Sequence, residues 1–484
     1  MKVCLVGTND GGGGAAKAMQ RIHQGLLSVG VSSNILCRFK NGNDKSIEAV
    51  SPKRGFSSDK NTFTQISLDL IHSHLEKNRT SVSNTLFSYP YPGLDIFDHP
   101  IVKDCDVVNL HWVSYFLSPN NIHNLLNSNK PIVWTLHDES PFTGGCHYTA
   151  GCEKFANDCR ECPQLARESS AIPESCLSDK IELFSDRISV VAPSRWMYER
   201  AKSSSIFKNS YVVRIANPID SEIYNPYSRE KKRSDLNFSD DTFVLLFGAN
   251  SAAEKRKGFC VLLSALRFCN EDPIWRRYAD SGKIHFLFFG NPAEELKIMN
   301  VPYTDLGTIN DEAILSEVYS AADVFVLPSL EDNLPNTMLE SLACETPVIA
   351  FSIGGIVDVV KEGVTGYLSE VLRPEALASK ILQSLKNSDQ RKRMGKKGRE
   401  LMISDYSPKT QAEKYVSAFA YRNERITANS ISPRYRFEEV GPNTLKNWDR
   451  IKKEVGFGFL GFRVLLLLTK RLFSRMIRFR FESR

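Results

Sequence analysis

Charged and polar side chains in this chain collect where apolar stretches break. Residues 321–355 read AADVFVLPSLEDNLPNTMLESLACETPVIAFSIGG. An apolar strand, Val324 to Leu327, ends at Pro328, the polar loop Glu331-Asp332-Asn333-Leu334-Pro335 follows, and a helix is predicted from Asn336 to Ala343, carrying Glu340. Carboxylates accept hydrogen bonds from sugar hydroxyls, while backbone amides at a helix N-terminus favour phosphate. The pattern suits a sugar carrying a diphosphate. Upstream, Lys255-Arg256-Lys257-Gly258 follows the apolar run Thr242 to Phe247. Cations at a strand end balance charge that builds on a leaving diphosphate; a solvated basic turn is the plainer alternative. His111 and His137-Asp138 close two further apolar runs, Val107 to Leu110 and Ile132 to Leu136. A strand-end histidine bonded to a carbonyl would look the same.

These groups need a scaffold that brings strand ends together. Lys2 to Val6 reads as a buried strand, followed by Gly7 and the run Gly11-Gly12-Gly13-Gly14, then a helix from about Ala15 to Val29. Strand, glycine loop, helix is the opening of a doubly wound domain, whose ligands sit at the carboxyl edge of the sheet. Glycines let backbone approach a ligand closely. The same order restarts at Thr242. The expected fold class is α/β: two Rossmann-like doubly wound domains facing across a cleft, plus a helical C-terminal tail. The boundaries are 1–216 for the first domain, 217–241 for a charged linker and 242–403 for the second domain. Residues 404–425 form a helix crossing back to the first domain, and 426–484 a basic amphipathic tail. Residues 41–100 are polar and less readable, with a helix near Phe63 to Leu75.

The loop and helix around Glu340 resemble the donor-site motif of family 4 glycosyltransferases, two-domain GT-B enzymes that use nucleotide sugars. That motif has two glutamates separated by seven residues; here Glu340 matches the second and Asp332 stands at the first, with Glu331 one residue earlier. Lys257 and Gly258 match the family's phosphate-contact lysine and following glycine, NLHW and TLHDESPFTGGCHY extend the likeness, and it covers roughly residues 1–422. The resemblance implies a retaining hexosyltransferase, independent of a catalytic metal, moving sugar to a glycan or lipid-linked acceptor in surface polysaccharide or lipopolysaccharide synthesis. It implies that Lys257, with Arg256, stabilises the leaving diphosphate. Asp332 or Glu331 would hold the sugar, Glu340 the ribose, and His137 the sugar from the opposite wall. Gly12, Gly13, Gly14, Gly258 and the amides near Asn333 and Leu334 would lie along the donor. The rival functions are a GT-B nucleotide-sugar epimerase, a phosphorylase, or a non-catalytic sugar-nucleotide scaffold at a membrane.

Bulk composition sets outer bounds. With 484 residues, 42% hydrophobic, and a net charge of +6, the chain fits a globular protein of two or three domains rather than a nucleic-acid binder. Eleven cysteines with no evident secretory signal point to a reducing, cytoplasmic setting. Four of them, Cys146, Cys152, Cys159 and Cys162, have the spacing C-x5-C-x6-C-x2-C. Four thiolates can close a structural zinc site; unligated buried thiols and a redox pair are the alternatives. The cluster also resembles that of the colanic-acid-type exopolysaccharide transferases. Between Lys470 and Arg484 stand six basic residues and one acid, among Leu472, Phe473, Met476, Ile477, Phe479 and Phe481. Residues 456–484 therefore suit an anionic membrane surface on its cytoplasmic face.

Overall fold

The structure is a computed structural model that describes residues 1–50, 70–128, 130–166, 171–184, 186–291, 301–421 and 440–455. It contains two parallel sheets. The first comprises β1 (Lys2–Asn9), β2 (Ser32–Phe39), β3 (Ile47–Ala49), β4 (Val107–Leu110), β5 (Ile132–Thr135), β6 (Ile188–Ala192) and β7 (Val212–Arg214), in the order β3-β2-β1-β4-β5-β6-β7. The second comprises β8 (Phe243–Ser251), β9 (Ile284–Asn291), β10 (Tyr303–Asp305), β11 (Val324–Leu327), β12 (Val348–Phe351) and β13 (Gly366–Ser369), in the order β10-β9-β8-β11-β12-β13. Both orders reverse direction beside their first strand, at β1/β4 and at β8/β11. A doubly wound sheet opens its binding crevice at that reversal.

The strands are continuous apolar runs because helices cover both faces. Phe243, Leu245 and Phe247 point to one side of β8 and pack with Phe259, Leu262 and Leu266; Val244 and Leu246 point to the other and meet Val318, Leu339 and Leu342. Each such buried side chain contributes about 1.5–3 kcal/mol. In the first half, α1 (Gly14–Ser28) turns Met19, Ile22 and Leu26 onto β1. The helix Pro408–Ala420 then returns from the second half and inserts Ala412, Tyr415 and Phe419 into that same core. Gly25 of α1 is required there, since a Cβ would stand 2.4 Å from the Pro408 carbonyl oxygen.

Two boundaries differ from the sequence expectation. The charged stretch expected as linker is the helix Arg229–Asp235, docked on the second half, with Ile219 and Tyr224 buried in that core. Its arginines are structural: Arg229 Nη2 lies 2.9 Å and Arg233 Nη1 3.2 Å from the buried Asp323 carboxylate. The second correction concerns 440–455, expected as tail. The helices Pro442–Lys446 and Trp448–Val455 dock on the helix Ala171–Leu183. Asp179 of that helix accepts the Asn443 amide at 2.6 Å and the Tyr91 hydroxyl at 2.9 Å, and Ile451 is fully buried. The segment 456–484, expected to bind a membrane, and most of the helix expected near Phe63 lie outside the described residues, among which no helix is long and apolar enough to cross a membrane.

Candidate active site

The carboxyl ends of β8 and β11 carry the charged groups. β8 runs into a short turn of 3-10 helix, Lys255–Lys257, stopped by Gly258 in the left-handed region (φ 70°). A Cβ at Gly258 would sit 1.9 Å from the Pro328 carbonyl oxygen, so only glycine lets the turn close against the end of β11. That closeness brings the cations to the loop after β11. Lys257 Nζ lies 2.8 Å and Arg256 Nη1 3.1 Å from Asp332 Oδ2, and Ser329 Oγ donates to the same oxygen at 3.2 Å. Burial alone would raise the Asp332 carboxyl, but Lys257 and Arg256 outweigh it and hold the group at about 2.

The two adjacent acids face different partners. Asp332 turns into its own half, onto the cations. Glu331 turns toward the first half, accepting the Ala150 amide at 3.0 Å and the Asn84 side-chain amide at 3.3 Å. Tyr148 sits between, its hydroxyl 3.4 Å from Asp332 and its ring 4.2 Å beneath the Arg256 guanidinium, a cation–π contact. Asn333 is buried and ties the halves: its amide donates to the Leu136 carbonyl at 2.9 Å and its oxygen accepts from Ser194 at 2.7 Å. The Leu334 carbonyl accepts from Asn217 at 3.2 Å. Gly354 (φ 53°) and Gly355 let the next turn pass directly under the Asp332 and Asn333 carbonyls.

Glu340 lies one turn into the helix Asn336–Ala343 and is 2% exposed. Its carboxylate accepts from Arg21 Nη2 at 2.8 Å and from the Tyr319 hydroxyl at 3.1 Å. The glycine run comes to the start of this same helix: Asn336 donates to the Gly14 carbonyl at 2.8 Å. Gly12 (φ 83°) and Gly14 are exposed, and beside Gly11, Gly12 and Gly13 there is open space where a side chain would stand.

Across from these, the first half supplies neutral groups. His137 Nε2 is 2.9 Å from His111 Nδ1, and His111 Nε2 is 3.0 Å from the Asn109 amide oxygen. The Asn109 NH2 group donates to the Val133 carbonyl and to Thr135, which fixes its oxygen as the acceptor. His111 therefore carries its proton on Nε2, His137 donates from Nε2, and the Nδ1 lone pair of His137 is left for another partner. Burial lowers both rings, His137 to about 4 and His111 well below its usual value, so the pair is neutral at pH 7. Both line a cavity with Trp112, Trp134, Lys180 and Phe184. Beside it Asp138 is anchored at 2.6 Å to His147 and 2.7 Å to the Trp112 indole N–H.

The structure thus brings Arg256, Lys257, Gly258, Glu331, Asp332, Asn333, Leu334 and Glu340 to one edge of the second sheet. Gly12, Gly13, Gly14 and His137 meet that edge from the first. It does not assemble the expected zinc site: among the described residues no three His, Cys, Asp or Glu side chains are placed to hold a metal ion, and the thiols are free. Cys146 and Cys162 pack with Phe87 and Leu165, and Cys159 with Phe142 and Phe155, yet the three thiols lie close enough to push one another's pKa up further than burial alone. Sequence reasoning missed Arg21, Tyr148, Asn84 and Ser194. Tyr148 lay within the quoted TLHDESPFTGGCHY segment, whereas Arg21, one turn after Lys17, reads as an ordinary helix cation before the halves meet.

Residues 228–401 match the family described as glycosyl transferases group 1. That match spans 174 of the 484 residues, just over a third of the chain. A putative colanic acid biosynthesis glycosyl transferase, WcaC of Escherichia coli K12, is 23% identical over 413 residues, covering 81% of this chain and 95% of that protein. D-inositol 3-phosphate glycosyltransferase 1 of Catenulispora acidiphila is 29% identical over 34% of this chain, and the aligned stretch spans only 40% of that relative. Among solved structures, Anabaena HepE, crystallised with UDP and glucose, superposes with a TM-score of 0.58 at 14% identity, covering 86% of this chain and 98% of HepE. WaaG, a glycosyltransferase involved in lipopolysaccharide biosynthesis, superposes with a TM-score of 0.55 at 16% identity, covering 86% and 99%. The fold is therefore GT-B, and the family match falls on the half that holds the cations and Glu340.

Proposed function

We propose that this chain transfers a sugar, with retention and without a catalytic divalent metal, from a nucleotide-sugar donor held by the second half. The acceptor is a glycan or lipid-linked oligosaccharide presented by the first half, in surface polysaccharide synthesis. The reading is carried by the convergence of Lys257 and Arg256 on Asp332, within one loop of the helix bearing Glu340. Asp332 balances both cations. A donor diphosphate takes over that role, and the charge that develops as the glycosidic bond breaks falls on Lys257 and Arg256. Glu340 binds the ribose and the Glu331–Asp332 loop the sugar. The His137 lone pair, in a ring kept neutral by burial, accepts a sugar hydroxyl from the opposite wall.

Retention and metal independence rest on the family resemblance. Two protein cations supply the charge balance that a divalent ion gives elsewhere. The relative named for colanic acid and the neighbour named for lipopolysaccharide support a polysaccharide acceptor, and the HepE complex supports a uridine donor. A cytoplasmic protein held peripherally on an anionic membrane through 456–484 fits such an acceptor. A screen of labelled nucleotide sugars, read by product analysis, tests the function. Transfer that is abolished by Lys257→Ala, Asp332→Asn and Glu340→Gln is expected. Full transfer by all three variants, or an epimerised sugar nucleotide as the sole product, would overturn it.

A further inference from the structure

Arg21 lies on α1, in the first half, seven residues into the helix after the glycine run. It is 6% exposed. One of its nitrogens, Nη2, meets two acids of the second half, Glu312 at 2.6 Å and Glu340 at 2.8 Å. Both acids are otherwise satisfied by tyrosines, Tyr224 on Glu312 at 3.1 Å and Tyr319 on Glu340 at 3.1 Å. The guanidinium stands 5.2 Å over the Tyr224 ring. Its other nitrogens, Nε and Nη1, are buried and have no hydrogen-bond partner. A guanidinium has five N–H donors, and buried donors are rarely left empty. Here those on two of three nitrogens are, in a group that touches a donor-site carboxylate.

We infer that Arg21 is a ribose-binding residue of the donor site, pairing with Glu340 so that a vicinal hydroxyl of the nucleotide donates to the carboxylate and accepts from the guanidinium. This rests on the reading of Glu340 as the ribose acid. The chemistry is complementary: a hydroxyl is both donor and acceptor, Glu340 is acceptor only, and Arg21 is donor only. Nε and Nη1 each flank, in one rigid plane, the nitrogen already on Glu340, so an oxygen seated on either lies beside that carboxylate. Because Arg21 belongs to one half and Glu340 to the other, a ribose filling both spans the two halves. The pair also makes the site selective for ribose over deoxyribose, since a missing hydroxyl leaves both groups unsatisfied.

The test compares a nucleoside diphosphate with its 2′-deoxy form by titration calorimetry on the full chain. The base is the one among UDP, GDP and ADP that gives the largest thermal shift. Wild-type protein is expected to favour the ribose form roughly tenfold or more, the worth of a hydrogen bond to a charged group. Arg21→Met should weaken the ribose form and shrink that preference toward one. Arg21→Lys keeps the positive charge between Glu312 and Glu340, guarding against loss of folding, and should also lose the preference. If both variants keep the wild-type ratio while Lys257→Ala and Glu340→Gln weaken binding, the Arg21 assignment is wrong and the donor site stands. If Lys257→Ala and Glu340→Gln bind as wild type, the donor site itself falls.

Discussion

The two halves share a sheet order and present opposite chemistry at their facing edges. The second half puts formal charge there: Lys257 and Arg256 locked on Asp332, which they hold at about 2. The first half puts buried imidazoles there, uncharged because desolvation outweighs every neighbouring acid. One fold thus yields a charged wall and a neutral wall, and the difference lies in what the strand ends carry. A β8 turn of three consecutive cations must find counter-charge, and finds it one strand away. Apolar β4 and β5 end in single histidines, and the neighbouring Asp138 raises His137 too little to offset its burial. A diphosphate leaving group needs the first wall; a sugar, recognised by neutral hydrogen bonds, needs the second.

Breaking the charged wall should have the largest consequence. Lys257→Ala removes one of two groups that meet the leaving diphosphate, and a loss of about 10²–10³ in turnover is expected from steady-state kinetics. Asp332→Asn leaves Lys257 and Arg256 buried without their carboxylate, and chemical denaturation should show a loss on the order of 3 kcal/mol. Breaking the neutral wall should matter less. His137→Asn keeps a hydrogen-bonding side chain at the strand end, and a loss of roughly tenfold in kcat/KM is expected, the worth of one hydrogen bond.

The smallest effect separates the walls by pH. The His111–His137 pair is neutral when folded and charged below about 6.5 when unfolded, so the unfolded chain binds more protons between about 4 and 6.5. Stability therefore falls as pH drops through that window. Glu139, buried against Arg200 and pushed up by burial to about 7, works the other way. Folded, it keeps a proton that the unfolded chain releases above 4.5, so its contribution falls as pH rises from 4.5 to 7. Melting temperatures from pH 4.5 to 6.5 should decline more steeply on acidification in Glu139→Gln than in wild type. The double variant His111→Asn/His137→Asn should decline less steeply. Parallel curves for all three would show that burial does not set these protonation states.

Much of this was legible in sequence because the relevant signals were local. Strand, glycine turn and helix succeed one another within about thirty residues at Lys2 and again at Thr242, so both doubly wound units could be placed. Lys257 sat in such a unit past a strand end, and Glu340 on the helix that follows another. What depended on partners distant in sequence could not be read. Arg229 and Arg233 looked like a solvated linker because Asp323, which anchors them, lies some ninety residues on. Asn443 and Thr444 looked like tail because their acceptor is Asp179. Arg21 showed no role until α1 met Glu312 and Glu340. The cysteine spacing likewise did not disclose packing: Cys146 and Cys162 join one apolar cluster and Cys159 another.

The claim on which the rest depends is that the turn after β8 meets the donor diphosphate through Lys257. Lys255, exposed on the same turn, is the internal control. Titration of UDP into Lys257→Ala and Lys255→Ala should show a loss of roughly tenfold or more in the first and wild-type affinity in the second. Equal affinity in both variants, or a loss confined to Lys255→Ala, would contradict the account.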